Sequence, residues 1–234
     1  DKAEVPGPVA DKIKPRIAET AKTLWLGYVL ISAAETVLLL MGGMNLFESL
    51  CHTFGTMATG GFSPKNASIG HYNSVYFDVV ITLFMISAGA NFSLHYRLLS
   101  GRPFSYLRDS EFRFYIGLIL FCIAAVTIDV RFSVYDSLAK ALRYACFQVT
   151  SIMTTTGYVT ADFEKWPTMS QYILLVLMFI GGCTGSTGGA IKCMRIMLLI
   201  KCGYRELYRL VHPHAIKAVK IGKEPVPPEI LNSI

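Results

Sequence analysis

Two clusters of threonine and glycine are the part of this sequence best suited to binding a cation. They span residues 56–62 and 154–160, and each follows a short segment of mixed polarity, at 45–57 and 136–154. Carbonyl oxygens that point toward one axis can replace the water around a potassium ion, and glycine permits the backbone angles that this requires. If the short segments are helices, their partially negative C-terminal ends favour a cation over an anion.

A third glycine cluster, Gly-Gly-Cys-Thr-Gly-Ser-Thr-Gly-Gly at 181–189, interrupts a long apolar run. Consecutive glycines make a helix costly, so we predict a break within the membrane. A phosphate-binding loop is disfavoured, because the stretch lacks the Gly-Lys-Ser/Thr sequence and no strand precedes it. A helix-packing surface of small residues is the stronger alternative, although it explains scattered glycines better than clustered ones.

Four apolar runs must position these clusters, at 24–44, 75–94, 114–128 and 169–191. About 20 apolar residues in a helix cross the hydrocarbon core of a bilayer. The composition agrees, because 53% of the residues are hydrophobic and 16% are charged, whereas a soluble domain has roughly 25% charged residues. We predict an all-α polytopic membrane protein in which the two short segments re-enter the membrane without crossing it.

The basic residues indicate how the chain is oriented. Of the 22 Lys and Arg residues, 17 fall on one side if the N-terminus is cytoplasmic, and five fall on the other. Basic residues concentrate in cytoplasmic loops, so we predict a cytoplasmic N-terminus. The net charge of +6 then reflects membrane topology, and we expect no nucleic-acid partner. The six cysteines form no CxxC pair, and no patterned nucleophile stands near His52 or His71, so we expect no cofactor and no enzyme.

The two Thr/Gly clusters also indicate an internal repeat. Aligning Gly60 with Gly157 gives an offset of 97 residues, which pairs residues 94–95 with 191–192. The predicted unit is a long helix, a short re-entrant helix, a Thr/Gly loop and a second long helix. We place the units at 23–101 and 102–211, between cytoplasmic linkers at 1–22 and 212–234. Both units begin on the same side of the membrane, so a shared pore along the membrane normal is expected.

These motifs, in this order and spacing, resemble the second and third repeats of the Trk/Ktr/HKT family of potassium transporters, closest to the bacterial Trk-type potassium uptake pore subunit. The similarity covers almost the whole chain. The matching residues are Lys12, Pro15, Arg16, Thr20, Ala21, Lys22 and Trp25; Ala58-Thr59-Gly60-Gly61-Phe62-Ser63; Asn91, Phe92, His95 and Tyr96; Thr155-Thr156-Gly157-Tyr158; and Gly181, Gly182, Gly185-Ser186-Thr187-Gly188-Gly189, Ile191 and Lys192.

The resemblance implies a pore of four helix–pore-loop–helix repeats, of which this chain has two, so we expect it to be a segment of a longer polypeptide. It implies potassium uptake across the bacterial inner membrane through a filter of backbone carbonyls, in a homodimer regulated by a separate cytoplasmic nucleotide-binding ring. It also implies that residues 182–190, here called the glycine loop, form an intramembrane gate. The expected potassium ligands are Ala58, Thr59, Gly60, Thr155, Thr156 and Gly157; the expected gate residues are Gly182, Thr184, Gly185, Ser186, Thr187, Gly188, Gly189 and Lys192.

Other interpretations of the same features stay open. Residues 58–62 could be a simple extracellular turn, and the broken helix could bind another substrate in a secondary transporter. A membrane-embedded enzyme is a third possibility, which the lack of a His/Asp/Glu cluster disfavours. The basic, amphipathic segment 194–211 could contact a regulatory subunit or acidic lipid.

Four ionisable side chains near or within the apolar runs are further candidates. We expect Glu35 to pair with a polar group of a neighbouring helix, and proton or ion coupling is the alternative. Asp78 could sit at the membrane interface. His95 and Lys192 occupy equivalent cytoplasmic positions if the offset is 97, and Lys192 is the better candidate for a gating contact because it directly follows the glycine loop.

Overall fold

The computed structural model describes residues 17–101, 104–212, 220–221 and 224–225. Within these residues the chain is almost entirely helical, with 3-10 turns at Ser68–Tyr72 and Phe163–Lys165 and one short antiparallel pair, β1 (Lys220–Ile221) with β2 (Glu224–Pro225). The helices are α1 (Ile17–Met41), α2 (Leu46–Met57), α3 (Val75–Ala88), α4 (Phe92–Leu99), α5 (Ser105–Arg108), α6 (Ser110–Ser133), α7 (Leu138–Met153), α8 (Thr168–Leu177) and α9 (Cys193–Val211).

Two of the described helices are long and apolar enough to cross a membrane, α1 over Ala21–Met41 and α6 over Ser110–Ser133. The bent pair α3–α4 is a third candidate span. Helix α6 exceeds the predicted run 114–128 because polar residues extend it at both ends, beginning with the Asp109 side chain, which accepts a hydrogen bond from the Phe112 N–H. The prediction of a helical chain with membrane spans is therefore confirmed.

The predicted linkers lie largely outside the described residues. The positions outside the described residues are 1–16, 102–103, 213–219, 222–223 and 226–234. Of these, residues 102–103 lie at the predicted junction between the units. Helix α1 begins at Ile17, inside the linker predicted at 1–22.

Helices of the two predicted units pack together through an apolar cluster and a buried ion pair. Leu39 of α1 and Ile81 of α3 share a cluster with Phe147 of α7 and Tyr158, which follows α7. In the ion pair, Asp78 of α3 accepts a hydrogen bond from Arg143 Nε of α7 at 2.6 Å. Asp78, which is 3% exposed, therefore links the two units through this ion pair.

The run 75–94 was predicted as one long helix, and this prediction is wrong. Helix α3 ends at Ala88, α4 begins at Phe92, and the two axes differ by 104°. The break is stabilised by polar contacts, because the Asn91 side chain accepts a hydrogen bond from the Ser93 N–H and the Gly89 carbonyl accepts one from the Cys183 N–H. Both units thus have a broken second helix, with three residues in the first break and fifteen, 178–192, in the second.

Candidate functional site

The two Thr/Gly clusters form the same hydrogen-bonded turn at the C-terminal ends of α2 and α7. In the first Thr/Gly turn (residues 58–62), the N–H groups of Gly60 and Gly61 both donate to the Gly55 carbonyl, at 2.8 and 3.1 Å. In the second Thr/Gly turn (residues 154–158), the N–H groups of Thr156 and Gly157 donate in the same way to Ser151, at 2.9 and 3.1 Å. The C-terminal end of a short helix therefore leads directly into each turn.

This shared geometry corrects the register of the repeat. The left-handed residues are Thr59 (φ 51°) and Gly61 (φ 67°) in the first turn and Thr155 (φ 60°) and Gly157 (φ 84°) in the second. Each pair is 96 residues apart, because 155 − 59 and 157 − 61 both equal 96. The predicted offset of 97 is wrong: it aligned Gly157 with the first glycine of a Gly-Gly pair instead of the second.

In the corrected register Gly61, which was not among the expected ligands, is the counterpart of Gly157, which was. The sequence did contain a signal, because an aromatic residue follows the glycine in both turns, Phe62 after Gly61 and Tyr158 after Gly157. The predicted equivalence of His95 and Lys192 also fails. His95 lies inside α4, whereas Lys192 precedes the first residue of α9, because the two helix breaks differ in length.

The two turns contact each other directly. The Tyr158 hydroxyl donates to the carbonyls of His52 at 2.9 Å and Phe62 at 3.3 Å. The Gly61 backbone approaches Thr156 so closely that a β-carbon on Gly61 would overlap the Thr156 carbonyl oxygen. Glycine is therefore required at position 61 both for its left-handed backbone and for this contact.

The glycine loop lies against both turns. The Thr59 hydroxyl donates to the Thr187 carbonyl at 3.0 Å, and the Gly189 N–H donates to the Thr155 hydroxyl at 2.7 Å. These contacts bring the predicted ion ligands and the predicted gate residues into one site. The equivalent threonines of the two turns each hold one position of the loop.

The far side of the glycine loop rests on the break between α3 and α4. The Phe92 N–H donates to the Gly185 carbonyl at 3.1 Å, and the Thr187 N–H donates to the Ala88 carbonyl at 3.3 Å. A β-carbon on Gly182 would lie 2.6 Å from the Gly89 carbonyl oxygen, so a larger residue would force the two breaks apart.

Lys192 supports the loop from within. Its ammonium group donates to the Gly188 carbonyl, and it lies 3.4 Å from both the carbonyl and the hydroxyl oxygen of Ser186. The Ser186 hydroxyl in turn donates to the Cys183 carbonyl at 2.6 Å. Lys192 thus contacts two of the predicted gate residues, Ser186 and Gly188, directly.

Two acidic residues, one in the first long helix of each predicted unit, are buried near this site. Glu111 of α6 accepts hydrogen bonds from the N–H groups of Thr184 and Met194. Glu111 was not predicted from the sequence, because it precedes the apolar run and looks like an ordinary interfacial charge. Glu35 of α1 is fully buried, and its carboxyl oxygens have no hydrogen-bond partner among the described residues. Thr56 of α2 is a polar neighbour of this carboxyl group, but its hydroxyl donates to the His52 carbonyl instead.

A polar cluster fixes the N-terminal end of α2. The Glu48 carboxylate binds the Lys65 ammonium at 2.7 Å and accepts a hydrogen bond from the Tyr72 hydroxyl at 2.7 Å. These two contacts lower the pKa of Glu48 to about 2, because both stabilise the ionised carboxylate. His52 extends the cluster, with Nδ1 2.7 Å from the Glu48 carbonyl and Nε2 3.0 Å from the Ser63 hydroxyl. The segment that follows the first turn is thereby tied back to α2.

The chain is similar to known transport proteins. A family model described as a cation transport protein, TrkH, matches residues 2–234. The chain is 46% identical to the Trk system potassium uptake protein TrkH of Salmonella typhimurium, over 100% of this chain and 49% of that protein. It is 36% identical to the Trk system potassium uptake protein TrkG of Escherichia coli, over 99% of this chain and 48% of that protein.

A solved structure has the same fold. The crystal structure of the potassium transporter TrkH from Vibrio parahaemolyticus superposes with a TM-score of 0.89 at 39% identity, covering 94% of this chain and 48% of that one. The chain spans about half the length of the curated relatives it matches. Because the family model matches nearly every residue, the chain belongs to the TrkH family of cation transport proteins.

Proposed function

We propose that this chain supplies two of the four filter strands of a potassium uptake pore. The observation that carries the proposal is the recurrence of one left-handed, hydrogen-bonded turn at the ends of two short helices, with the two turns in contact. Such backbone is tolerated at membrane depth only where protein buries it or where it lines a water-filled path. Two equivalent turns in contact with each other are better explained by an ion path than by two unrelated loops.

The backbone carbonyls of these turns are available for an ion. Among the described residues, the carbonyl oxygens of Thr59, Gly60, Thr155 and Thr156 accept no hydrogen bond. Carbonyls that bind an ion replace its hydration shell, and the C-terminal ends of α2 and α7 add partial negative charge. Ala58 stays in the proposed ligand set, with its carbonyl also accepting a hydrogen bond from the Thr59 hydroxyl at 2.7 Å. Gly157 stays as well, and we add Gly61, which is the counterpart of Gly157.

The remaining elements of the proposal concern the complete pore. Two further repeats of the same kind would close the ring, and the relatives, about twice as long, have room for them. The assembly would be a homodimer in the bacterial inner membrane, with the N-terminus of this segment in the cytoplasm. A nucleotide-binding ring would regulate it from that side, and the amphipathic helix α9 would offer the contact surface.

The glycine loop is proposed as the gate of this pore. It lies directly against Thr59 and Thr155, so it occupies the exit from both turns. Its glycines, with the hydroxyls of Ser186 and Thr187, allow the backbone to be satisfied in more than one arrangement. Deleting residues 185–189 is expected to raise the potassium leak; a deletion protein with normal, still regulated flux would count against the gate.

The filter assignment is tested by rubidium uptake into vesicles that contain the complete pore. Gly157→Asp is expected to abolish uptake, because the side chain would enter the ion path beside the carbonyls. The matched control is Gly43→Asp: both glycines have a left-handed backbone, at φ 84° and 96°, and at both positions a β-carbon would have no described atom within 4 Å. Uptake that survives Gly157→Asp, or that is lost equally in both variants, would refute the assignment.

A further inference from the structure

Glu111 is a buried acid that contacts both ends of the glycine loop. Its side chain lies in the first turn of α6, and the residue is only 3% exposed. A single carboxylate oxygen, Oε1, accepts hydrogen bonds from the Thr184 N–H at 2.7 Å and from the Met194 N–H at 3.0 Å. Thr184 is near the beginning of the loop, and Met194 is in the first turn of α9, just beyond its end. One side chain therefore joins the chain that enters the loop to the chain that leaves it.

The contact with Met194 replaces a missing helix cap. In the part of the chain described here, the side chain of Lys192, which immediately precedes α9, makes no cap hydrogen bond. It turns back toward Gly188 and Ser186 instead. The first N–H groups of a helix have no partner within that helix, so a carboxylate from α6 satisfies one of them and also suits the positive end of α9. Hydrogen bonds to an ionised acceptor are about twice as strong as neutral ones.

We infer that Glu111 is a positioning residue that holds the glycine loop against the two Thr/Gly turns. The inference rests on the proposed function, because Glu111 would be the anchor of the proposed gate. The two positions at which the loop contacts the turns, Thr187 and Gly189, both lie between the two anchored positions, Thr184 and Met194. Backbone hydrogen bonds from Gly181 to Ile191 and from Cys193 to Gly182 also join the two ends of the loop. Loss of the Glu111 anchor therefore removes one support from both ends at once, and the loop moves away from the turns more often.

The location of Glu111 also connects the loop to the junction between the two units. Asp109, two residues earlier, accepts the Phe112 N–H and begins α6. The Tyr106 hydroxyl of α5 is hydrogen-bonded to His95 Nδ1 of α4. Tyr106 is five residues before Glu111, so a displacement of α4 and α5 would be transmitted to Glu111 over a short stretch of chain. Movements at this junction would thereby reach the glycine loop.

Asp129, at the other end of α6, provides a matched control. Its Oδ2 accepts hydrogen bonds from the Ser170 N–H at 3.0 Å and from the Ser170 hydroxyl at 2.6 Å, in the first turn of α8. Asp129 therefore caps α8, the first half of the broken helix, as Glu111 caps α9, the second half. Both acids lie on α6, and both use a carboxylate oxygen as the acceptor. Among the described residues its hydrogen bonds do not involve the glycine loop, so its loss weakens α6–α8 packing without releasing the loop.

The test uses the thiols of Cys183, inside the loop, and Cys193, just beyond its end, which are 1% and 0% exposed. In the complete pore in vesicles, with Cys51, Cys122, Cys146 and Cys202 replaced by alanine, we would measure the rate at which a small cationic methanethiosulfonate modifies these two thiols. Rubidium flux would be measured in the same preparations. The variants are Glu111→Ala, Glu111→Asp, Glu111→Gln and Asp129→Ala.

Glu111→Ala is expected to accelerate modification of the thiols by about tenfold or more. The loss of one hydrogen bond to a charged group shifts the equilibrium between the anchored and the displaced loop by about that factor. Glu111→Asp, one methylene shorter, is expected to accelerate it as well and serves if the alanine variant does not fold. Glu111→Gln keeps an oxygen acceptor without the charge and should restore part of the protection. Unchanged modification in both Glu111→Ala and Glu111→Asp, or equal acceleration in Asp129→Ala, would overturn the inference. Accelerated modification with unchanged flux would uphold the anchor and contradict the proposed gate.

Discussion

Replacing Gly61 with alanine tests the corrected register of the two Thr/Gly turns. The left-handed backbone at this position, φ 67°, disfavours any residue with a β-carbon. The new methyl group would also overlap the Thr156 carbonyl oxygen of the second turn. Neither turn can retreat freely, because Tyr158 of the second turn hydrogen-bonds to the His52 carbonyl of α2 and to the Phe62 carbonyl of the first turn. The substitution must therefore separate the turns or distort the filter carbonyls.

The expected cost follows from these two contributions. A left-handed conformation costs a non-glycine residue about 1–2 kcal/mol, and inserting a methyl group into a packed site costs about 1–3 kcal/mol more. The lower limit of the sum, about 2 kcal/mol, corresponds to a roughly thirtyfold loss of the correctly formed filter. Gly157→Ala carries only the first contribution, because no described atom lies within 4 Å of its β-carbon position.

Gly60→Ala is the matched control for this experiment. Gly60 does not have a left-handed backbone, and its β-carbon would meet only the Phe62 ring at 3.3 Å. Phe62 is 82% exposed in the described structure and can move aside, so we expect rubidium uptake within about threefold of wild type. Uptake would be measured in vesicles and normalised to the amount of pore protein. Loss of uptake in Gly60→Ala with normal uptake in Gly61→Ala would refute the corrected register and restore the offset of 97.

Three further predictions concern the elements around the site. Arg143→Met leaves the Asp78 carboxylate buried without its partner and should destabilise the protein by about 3–5 kcal/mol, measured as a lower thermal unfolding temperature in detergent. The double variant with Asp78→Leu should recover part of this lost stability. No recovery would contradict a direct ion pair. Tyr158→Phe should cost about 1 kcal/mol and reduce rubidium uptake, because the two turns lose their shared hydroxyl; wild-type uptake and stability would argue against that link. The Lys65 ammonium holds the pKa of Glu48 at about 2, below its usual 4.5. The contribution of this ion pair to the stability of the protein should therefore be complete above pH 4.5 and be lost as the pH falls toward 2. A pH profile of thermal stability that is the same in Glu48→Gln as in the wild type would contradict this prediction.

Features set by local sequence were predictable. The apolar runs of α1 and α6 and the mixed polarity of α2 and α7 are properties of neighbouring residues, and periodicity and length report them directly. The break in the last helix was predicted because glycines accumulate between 181 and 189, which no helix interior accommodates cheaply.

Features set by contacts between distant segments were not predictable. The break after α3 has a single glycine at position 89, and it depends on the Cys183 N–H, nearly a hundred residues away. Glu111 looks like an interfacial charge until the fold places it beside Thr184 and Met194. The register of the turns depended on which glycine of a pair adopts the left-handed backbone, and spacing alone does not decide this.

The most direct test of the proposed filter is to locate the ion itself. Crystals of the complete pore grown in rubidium would be examined for anomalous scattering between the first and second Thr/Gly turns. The proposal predicts a rubidium peak coordinated by backbone carbonyls of residues 59–61 and 155–157, and the peak should be absent in Gly157→Asp. Rubidium found elsewhere along the transport path, with none between these turns in a protein that transports it, would contradict the central claim.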